Sequence, residues 1–442
     1  AYYSVDLNWK TYLTLSTTGR YDAFSTLAGK DIPTSQMGIF TPSVSGSFLF
    51  SELAKLPKMS YGKLRASYAQ TSGEPVTAYQ TMVYYGLEST INGTPTGRFS
   101  NNLPSGLLKP FKVTEVEVGA ELKWFDNRLG LDIAYFNRKT KNEIMKANFS
   151  LATGYSAGYV PTGSTRNKGL EVMISGTPIT NKDFNWNVSF NLTSVKNEIL
   201  HTDNFNNTIT LGTDRPNHGA IYTAYEVGKS GPQILGYDYK WDGKGNMIVD
   251  DGGLPVQGDL KSWGTVLPTL YGGLNNDFSY KNITLSFLID YNYGNKIISA
   301  TKAYSIYRGL NKETLNGREG GITTGVTASG AQNTVTVSSQ DYYQAIFSRN
   351  ITGPLSVLNG DYIKLRQLTL GYTLSEKLFG SVPLIRSINV SVVGRNLWTI
   401  MRRSGIIDPE AGFSTLVSYA GIEGTGVPSA RTYGVNVNVK FK

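Results

Sequence analysis

The last twelve residues, RTYGVNVNVKFK (431–442), alternate strictly between apolar and polar side chains. Five apolar residues, from Tyr433 to Phe441, share one parity, while Gly, Asn and Lys residues occupy the other. A period of two residues is that of a β-strand with one apolar and one polar face. The same alternation recurs in VEVGAELKW (116–124), FNWNVSFNL (184–192) and ITLSFLIDYNY (283–293). The sequence therefore predicts an all-β chain whose strands separate two environments.

The lengths of the connections indicate which environments these are. We count about thirteen strands, near residues 2–10, 12–23, 42–51, 61–71, 113–125, 129–141, 168–177, 184–197, 266–279, 282–296, 362–375, 385–399 and 427–441. Short turns alternate with long, polar, Gly-rich connections near 72–112, 142–167, 198–265, 297–361 and 400–426. A soluble sandwich shows the same two-faced strands but has no reason to segregate short turns from long loops. The pattern predicts a transmembrane antiparallel β-barrel in contact with outer-membrane lipid.

An odd number of strands has a further implication. Complete bacterial barrels have an even number of strands, so we expect additional strands upstream of residue 1. No apolar run reaches the roughly 18 residues that a membrane-spanning helix requires. If the chain is a membrane protein, it must therefore cross the membrane with strands.

The composition argues against most enzymes. The chain has no cysteine and only two histidines, His201 and His218. Thiolate metal sites and cysteine nucleophiles are therefore excluded, and the commonest acid-base residue is scarce. We expect no catalytic residues, and an outer-membrane enzyme is the weakest of the functions considered.

The positive charge does not indicate a nucleic-acid partner. The formal net charge is +9, but the Lys and Arg residues are scattered along the chain without a dense basic run. Nucleic-acid binding proteins concentrate such residues on one face or helix. The 48 glycines and 28 tyrosines instead fit strands flanked by aromatic girdles.

One strand breaks its own pattern. In YIKLRQLTLGYTL, Leu368, Leu370 and Tyr372 have the parity expected to face lipid, but Lys364 and Arg366 share it. Either the strand rises above the hydrocarbon there, or a β-bulge switches its faces. We favour the first interpretation, because lysine at the bilayer midplane costs about 2–4 kcal/mol.

Several stretches, taken in order, resemble the C-terminal part of the SusC/RagA family of TonB-dependent outer-membrane transporters. They are TPSVSGSFLFSE, GKLRASYAQTSG, STRNKGLEVMISGTPI, FNWNVSFNLTSVKNEI, YEVGKSGPQILGYDYK, DYIKLRQLTLGYTLSEKL, GRNLWTI, SGIIDPEAG and SARTYGVNVNVKF. The resemblance extends from residue 1 to residue 442. It implies a barrel of about twenty-two strands filled by an N-terminal plug. Residues 1–442 would be the C-terminal portion of that barrel, with the plug and the N-terminal strands outside this chain.

The resemblance also implies a function and partners. Family members import oligosaccharides or peptides beneath a SusD-like surface lipoprotein, with energy from TonB, which would act through the missing N-terminal region. A dimer of heterodimers is left open. The alternative is a SusC-like barrel with a structural or assembly role in a larger outer-membrane complex.

The long loops supply the candidates for contact with a ligand or with the lid. Aromatic faces bind sugar rings or apolar side chains, and amides bind hydroxyls or peptide backbone. The candidates are Tyr84, Tyr85, Asn101, Asn102, Asn206, Asn207, Tyr222, Tyr225, Tyr304, Tyr307, Tyr342 and Tyr343. For each, packing of the loops on one another or on a partner is the alternative. Glu115, Glu117, Glu121 and Asp290 are expected to face the plug or water rather than to act in catalysis.

No cofactor is predicted, although one loop leaves calcium open. Similar loops of the family carry an acidic repeat at the position of WDGKGNMIVDD (241–251). Here Asp242, Asn246, Asp250 and Asp251 are too sparse and irregular for ligands at alternate positions. An ordinary Gly-rich turn is favoured over a calcium site.

Overall fold

The alternating segments form long strands, and the chain divides into two compact units. The computed structural model describes residues 1–29, 32–73, 81–82, 85–105, 108–148, 151–203, 205–213, 220–375 and 384–441. The first unit contains Ala1–Pro178, Asn191–Ile209 and Glu226–Lys229, and the second contains Ile179–Phe190, Thr210–Tyr225 and Ser230–Lys442. Every one of the thirteen predicted strands has a counterpart in the structure.

The first unit is built on antiparallel strands that follow one another in chain order. Its elements are β1 (Tyr2–Trp9), β2 (Leu13–Ala23), α1 (Thr34–Met37), β3 (Gly38–Leu49), β4 (Met59–Gly73), β5 (Tyr85–Ile91), β6 (Thr94–Phe99), β7 (Asn102–Leu103), β8 (Phe111–Trp124), β9 (Leu129–Asn148) and β10 (Ala157–Thr180). The main sheet has the order β1-β2-β3-β4-β8-β9-β10, while β5 and β6 form a separate hairpin. The strand β11 (Phe184–His201) contributes residues to both units.

The second unit combines long strands with a folded set of loops. Its elements are β12 (Ile209–Thr213), β13 (Ile221–Tyr225), β14 (Gln233–Tyr239), β15 (Gln257–Thr265), β16 (Leu270–Tyr280), β17 (Ile283–Tyr293), β18 (Lys296–Ser299), α2 (Ala300–Tyr307), α3 (Ser339–Ser348), α4 (Gly353–Ser356), β19 (Val357–Asn359), β20 (Tyr362–Ser375), β21 (Ile385–Arg402), β22 (Ile422–Glu423) and β23 (Thr432–Phe441). The long strands have the order β16-β17-β20-β21-β23. Two small sheets, β12-β13-β14-β15 and β19-β18-β22, belong to the loops. None of the helices in the described ranges combines the length and the apolar character needed to cross a membrane.

Neighbouring strands are paired so that like faces lie together. Between β4 and β8, Tyr68 is opposite Val116, and Lys63 is opposite Glu121. Tyr68, Val116 and Val118 are 39%, 48% and 49% exposed. Because a continuous row of exposed apolar side chains is unfavourable in water, this face suits hydrocarbon.

The short turns occur where the sequence predicts them. Trp9 and Leu13 close the β1–β2 hairpin around Lys10, which has a φ of 51°. Asp126 and Asn127 join β8 to β9 with φ values of 58° and 65°. Tight hairpins need such left-handed residues to reverse the chain within a few positions.

The prediction of long irregular connections is wrong in part. The connection near 142–167 is mostly strand, because β9 continues to Asn148 and β10 begins at Ala157. The connections near 198–265, 297–361 and 400–426 contain strands of the two small sheets, and the connection near 297–361 also contains the helices α2, α3 and α4. These short elements could not be recognised in a polar, Gly-rich sequence, because they are stabilised by packing on one another rather than by a local pattern.

The expected emergence of Lys364 from the membrane is also wrong, because the structure has a β-bulge. Leu288 is opposite Gln367, whereas Ile289 is opposite Leu365, so that Arg366 is the extra residue. The bulge switches the faces of β20, as one extra residue does in any strand. Lys364 is consequently opposite Asp290, on the polar face of β17.

The assignment of faces predicts the effect of a charge on β23. Val437 is opposite Val390, and its neighbour Asn438 is opposite Asn389. We expect Val437→Arg to reduce the amount of assembled protein in the membrane, because arginine on the lipid face costs about 2–4 kcal/mol near the midplane. Asn438→Arg, the matched control on the polar face, should be tolerated. Heat-modifiability gels measure assembly, and equal levels of the two variants would contradict the register.

Candidate functional site

The described connections of the second unit fold together into a structure that we call the loop assembly (residues 210–213, 220–225, 230–269, 294–361 and 403–431). It has two buried apolar clusters. One contains Ile221, Ile234, Val266, Ile298 and Ile422. The other contains Ile306, Ile346, Ile351 and Leu355. Burial of a side chain of this size contributes about 1.5–3 kcal/mol, so these loops are held in defined positions.

Two helices of the loop assembly, α2 and α3, begin at serine caps. The Ser299 hydroxyl accepts a hydrogen bond from the Lys302 amide (3.1 Å), and the Ser338 hydroxyl accepts one from the Asp341 amide (3.0 Å). Each cap satisfies one of the amides that the first turn of a helix leaves unpaired. The cap of α3 has the Ser-x-x-Asp spacing that the sequence displays at 338–341.

A buried carboxylate connects the 403–431 connection to α2. Glu423 is 4% exposed. One of its oxygens accepts hydrogen bonds from the Ser299 hydroxyl (2.7 Å) and the Thr301 amide (3.1 Å). The other accepts from the Thr301 hydroxyl (2.6 Å) and the Thr425 amide (2.7 Å). A negative charge at the start of a helix is favourable, so Glu423 fixes α2 to this connection.

Residues on β17, β20 and the 403–431 connection form an ion cluster at the bulge. Its members are Asp290, Tyr362, Lys364, Arg366, Asp408 and Glu410. The Lys364 amine lies 2.8 Å from an Asp408 oxygen and 2.6 Å from a Glu410 oxygen, and its side chain is only 6% exposed. The Arg366 guanidinium contacts Asp290 (2.6 Å) and also pairs with Glu410. The bulge therefore brings both cations to the acidic residues of the loop.

Asp408 and Glu410, the two carboxylates that the 403–431 connection brings to this cluster, are stabilised in their charged form. Burial raises the pKa of Asp408, but hydrogen bonds from Lys364 and from the Ser429 amide hold it well below its usual range. Burial likewise acts against Glu410, whose pKa is lowered by Arg366 and Lys364. Because Asp408 contacts Ser429 as well as Lys364, it joins both ends of the connection to β20.

Three of the predicted contact residues lie together along a groove beside α2 and α3, which we call the helix groove. Two adjoining pockets of about 670 and 650 Å³ make up the groove. Tyr304 and Tyr307 of α2 and Tyr343 of α3 line it. Tyr342 instead packs against the apolar cluster of Ile306 and its neighbours, and burial raises its pKa.

The other predicted contact residues are placed elsewhere. Tyr222 and Tyr225 are half-buried in β13, while Tyr85 is exposed at the start of the β5–β6 hairpin. Tyr84 lies outside the described residues.

The four asparagines of the set have local contacts. The Asn101 carbonyl accepts hydrogen bonds from the Ser156 amide and hydroxyl, and Asn102 lies in β7. Asn206 and Asn207 are exposed in a turn in which Asn207 bonds to Asp203. Of the candidates that the structure describes, it therefore gathers Tyr304, Tyr307 and Tyr343 at the helix groove.

The groove residues that were not among the sequence-based candidates include one arginine and two glutamines. Arg308 and Gln344 line both pockets, and Gln340 lines one of them. The available signal was the four-residue spacing of Gln340 and Gln344 after the Ser338 cap. That spacing places the two amides on one face of a helix.

The carboxylates of the 241–251 loop bond within the protein. Asp242 accepts hydrogen bonds from the amides of Lys244 and Asn246 and from the Asn246 side chain. Asp250 accepts from two amides and from Arg349. In the described part of the chain, no three acidic or histidine side chains are grouped as a metal site would require.

The polar faces of the strands carry paired charges. In the first unit, Arg65 bridges Glu117 (3.2 Å) and Asp132 (2.8 Å). Glu121 contacts Lys63 (2.9 Å) and Lys123 (3.0 Å). Glu115 pairs with Arg138, and Asp290 of the second unit pairs with Arg366. The four carboxylates predicted to point inward are thus each matched by a cation.

The ion cluster predicts a marked effect of removing Lys364. We expect Lys364→Met to lower the free energy of unfolding by about 3–5 kcal/mol, because Asp408 would be left buried without its cation. Lys261→Met is the matched control, since it removes an exposed pair with Asp238 that contributes at most about 1 kcal/mol. Urea denaturation in detergent measures both, and equal losses would contradict the role of the cluster.

The lowered pKa values of Asp408 and Glu410 predict the pH range over which the 403–431 connection stays attached. A carboxyl with a lowered pKa in the folded state contributes its full stability above its unfolded pKa of about 4. That contribution is lost as the pH falls through the folded value. We expect resistance of the connection to protease to be constant from pH 8 to pH 5, and a loss of resistance within this range would refute the assignment. A protease that stays active from pH 5 to pH 8 allows the measurement at both ends.

Comparisons with known proteins agree with this fold. The family model "TonB dependent receptor-like, beta-barrel" matches residues 1–287. TonB-dependent receptor P3 of Formosa agariphila is 26% identical over 413 residues, which are 86% of this chain and 39% of that protein. TonB-dependent receptor SusC of Bacteroides thetaiotaomicron is 24% identical over 351 residues, which are 76% of this chain and 32% of that protein.

A solved structure shows the same architecture. The RagAB peptide importer in its closed-closed state matches with a TM-score of 0.78 and 20% identity, over 99% of this chain and 47% of that one. The chain thus spans less than half the length of the relatives it matches. The chain belongs to the TonB-dependent receptor-like β-barrel family of the outer membrane. This assignment confirms three predictions: a membrane β-barrel, a resemblance to SusC and RagA, and a protein that is not an enzyme.

Proposed function

We propose that this chain is part of an active importer of oligosaccharides or peptides. In this proposal the importer works beneath a SusD-like lipoprotein and draws its energy from TonB. The observation that carries the proposal is the folded loop assembly, whose two apolar clusters and ion cluster hold a large surface in place. Loops of a simple pore need no core of their own, whereas loops that meet a lid or a ligand must keep their shape.

The paired charges on the polar faces fit a surface that faces a plug. A barrel of about twenty-two strands is too wide for its own side chains to fill, so its inner face needs a separate filling domain. Arg65, Glu117 and Asp132 would meet that domain as charges that are already paired with one another. Such a surface makes few fixed contacts that a moving plug would have to break.

The proposed substrate class is based on a relative that imports peptides and on the residue types in the loops. RagAB is a peptide importer, and it has been seen in closed-closed and open-open states. By analogy with these two states, we propose that a lid opens and closes over the loop assembly. The tyrosines and amides of the helix groove suit either a peptide or a sugar chain.

The experiment that tests this proposal begins with the complex from outer membranes in mild detergent. We expect native mass spectrometry and peptide identification to show this chain together with plug sequences and one SusD-like lipoprotein. Uptake of labelled peptides and oligosaccharides should occur in cells with TonB and be abolished without it. Recovery with other surface proteins, and no TonB-dependent uptake, would contradict import and favour a structural role.

A further inference from the structure

The helix groove has the size and the mixed lining of a ligand site. Its two pockets share Tyr307, Arg308 and Gln344. Volumes of about 670 and 650 Å³ fall within the range of small-molecule sites, about 300–1,000 Å³. The helices beside the groove are held in place, because Ile306 of α2 and Ile346 of α3 are almost fully buried.

Aromatic rings form fixed walls. The rings of Tyr307 and Phe347 lie 5.2 Å apart at 55°. Tyr343 donates its hydroxyl to the Glu313 carbonyl (2.7 Å), which fixes the orientation of its ring. An apolar side chain or a ring can lie against such faces.

The polar groups of the groove have unused donors. In the part of the chain that the structure describes, Arg308, Gln340 and Gln344 make no side-chain hydrogen bond or ion pair with the protein. The two glutamines are four residues apart on α3, and both line the pocket that contains Arg308. Three groups with free N–H donors therefore converge on one space.

The nearby acidic and basic groups are already engaged. Glu313 pairs with Lys302 (3.0 Å), and Asp341 accepts from the Ser338 hydroxyl (2.6 Å). The Arg318 guanidinium donates to the Thr314 carbonyl and hydroxyl, both at 3.0 Å. Arg308 is the arginine of the groove whose guanidinium donates to no group in the described part of the chain.

The position of Arg308 is set by the end of α2. Its guanidinium lies over the Tyr307 ring, with the central carbon 5.2 Å from the ring centroid. Gly309 follows in the left-handed conformation, at φ +69°, and its amide bonds to the Ile306 carbonyl (2.9 Å). Only glycine adopts this conformation freely, so the chain turns away and Arg308 stays at the groove.

We propose that the helix groove binds the carboxylate of a ligand together with an adjoining ring or apolar group. The carboxylate pairs with the Arg308 guanidinium, as carboxylates do with planar guanidinium donors. Gln340 and Gln344 bond to the amide or hydroxyl groups next to it, and Tyr307 contacts the ring. The C-terminus of a peptide and the acidic unit of a uronate chain both carry this chemistry. The inference deepens the proposed import function, since it names a ligand chemistry for the outer loops.

The test measures binding to the intact complex in detergent by calorimetry. The probes are a short peptide that ends in phenylalanine, its C-terminal amide, a trigalacturonate and its methyl ester. We expect at least one acid to bind about tenfold or more tightly than its neutral partner, and the acid that does so identifies the source. Arg308→Gln should remove this preference. No binding by either acid, or equal binding of acid and neutral forms, would overturn the inference.

A matched control separates the groove from general electrostatics. Lys312→Gln removes the same charge four residues away, on an exposed residue that does not line either pocket. It should leave the preference unchanged, and an equal effect of both substitutions would overturn the inference. Uptake is scored separately. If TonB-dependent uptake occurs but Arg308→Gln does not change the preference for the acid, the proposed ligand site is wrong and the import function is kept. If Arg308→Gln removes the preference but no TonB-dependent uptake occurs, the import function is wrong and the ligand site is kept.

Discussion

The register between neighbouring strands is the constraint on which this structure depends. In hydrocarbon, every backbone amide and carbonyl must be paired within the protein, so the strands have to lie side by side. A shift of one residue would exchange the two faces of a strand. Pairs such as Tyr68 with Val116, and Lys63 with Glu121, show apolar faces matched to apolar faces and charges to charges.

The same constraint explains the exception in β20. Without the bulge at Arg366, Lys364 would lie on the apolar face; with it, Lys364 reaches Asp408 and Glu410. One inserted residue thereby connects a long strand to the 403–431 connection. Glu423, further along that connection, holds the start of α2. The bulge, the ion cluster and the helix form one continuous set of contacts that supports the loop assembly.

The strands could be predicted from the sequence because their pattern is local. The alternation at Tyr433 to Phe441 needs no knowledge of the neighbouring strand. The parity break at Lys364 and Arg366 indicated either emergence from the membrane or a bulge. The sequence could not decide between the two, since neither residue carries information on which residue is opposite it. The helices were missed because they are short and owe their stability to packing within the loop assembly. The same limit applies to the site. Tyr307 could be selected by its residue type alone, whereas Arg308 could not, because its place at the groove depends on where α2 ends.

Labelling of single cysteines along β20 tests the register most directly, and the chain offers a clean background because it contains no cysteine. Each position from 362 to 375 would be replaced in turn and treated with a lipid-soluble maleimide. The account predicts labelling at 368, 370 and 372, then a change of parity to 363 and 365, with 364 protected. Labelling that keeps one parity along the whole strand would contradict the bulge, the ion cluster and the attachment of the loops.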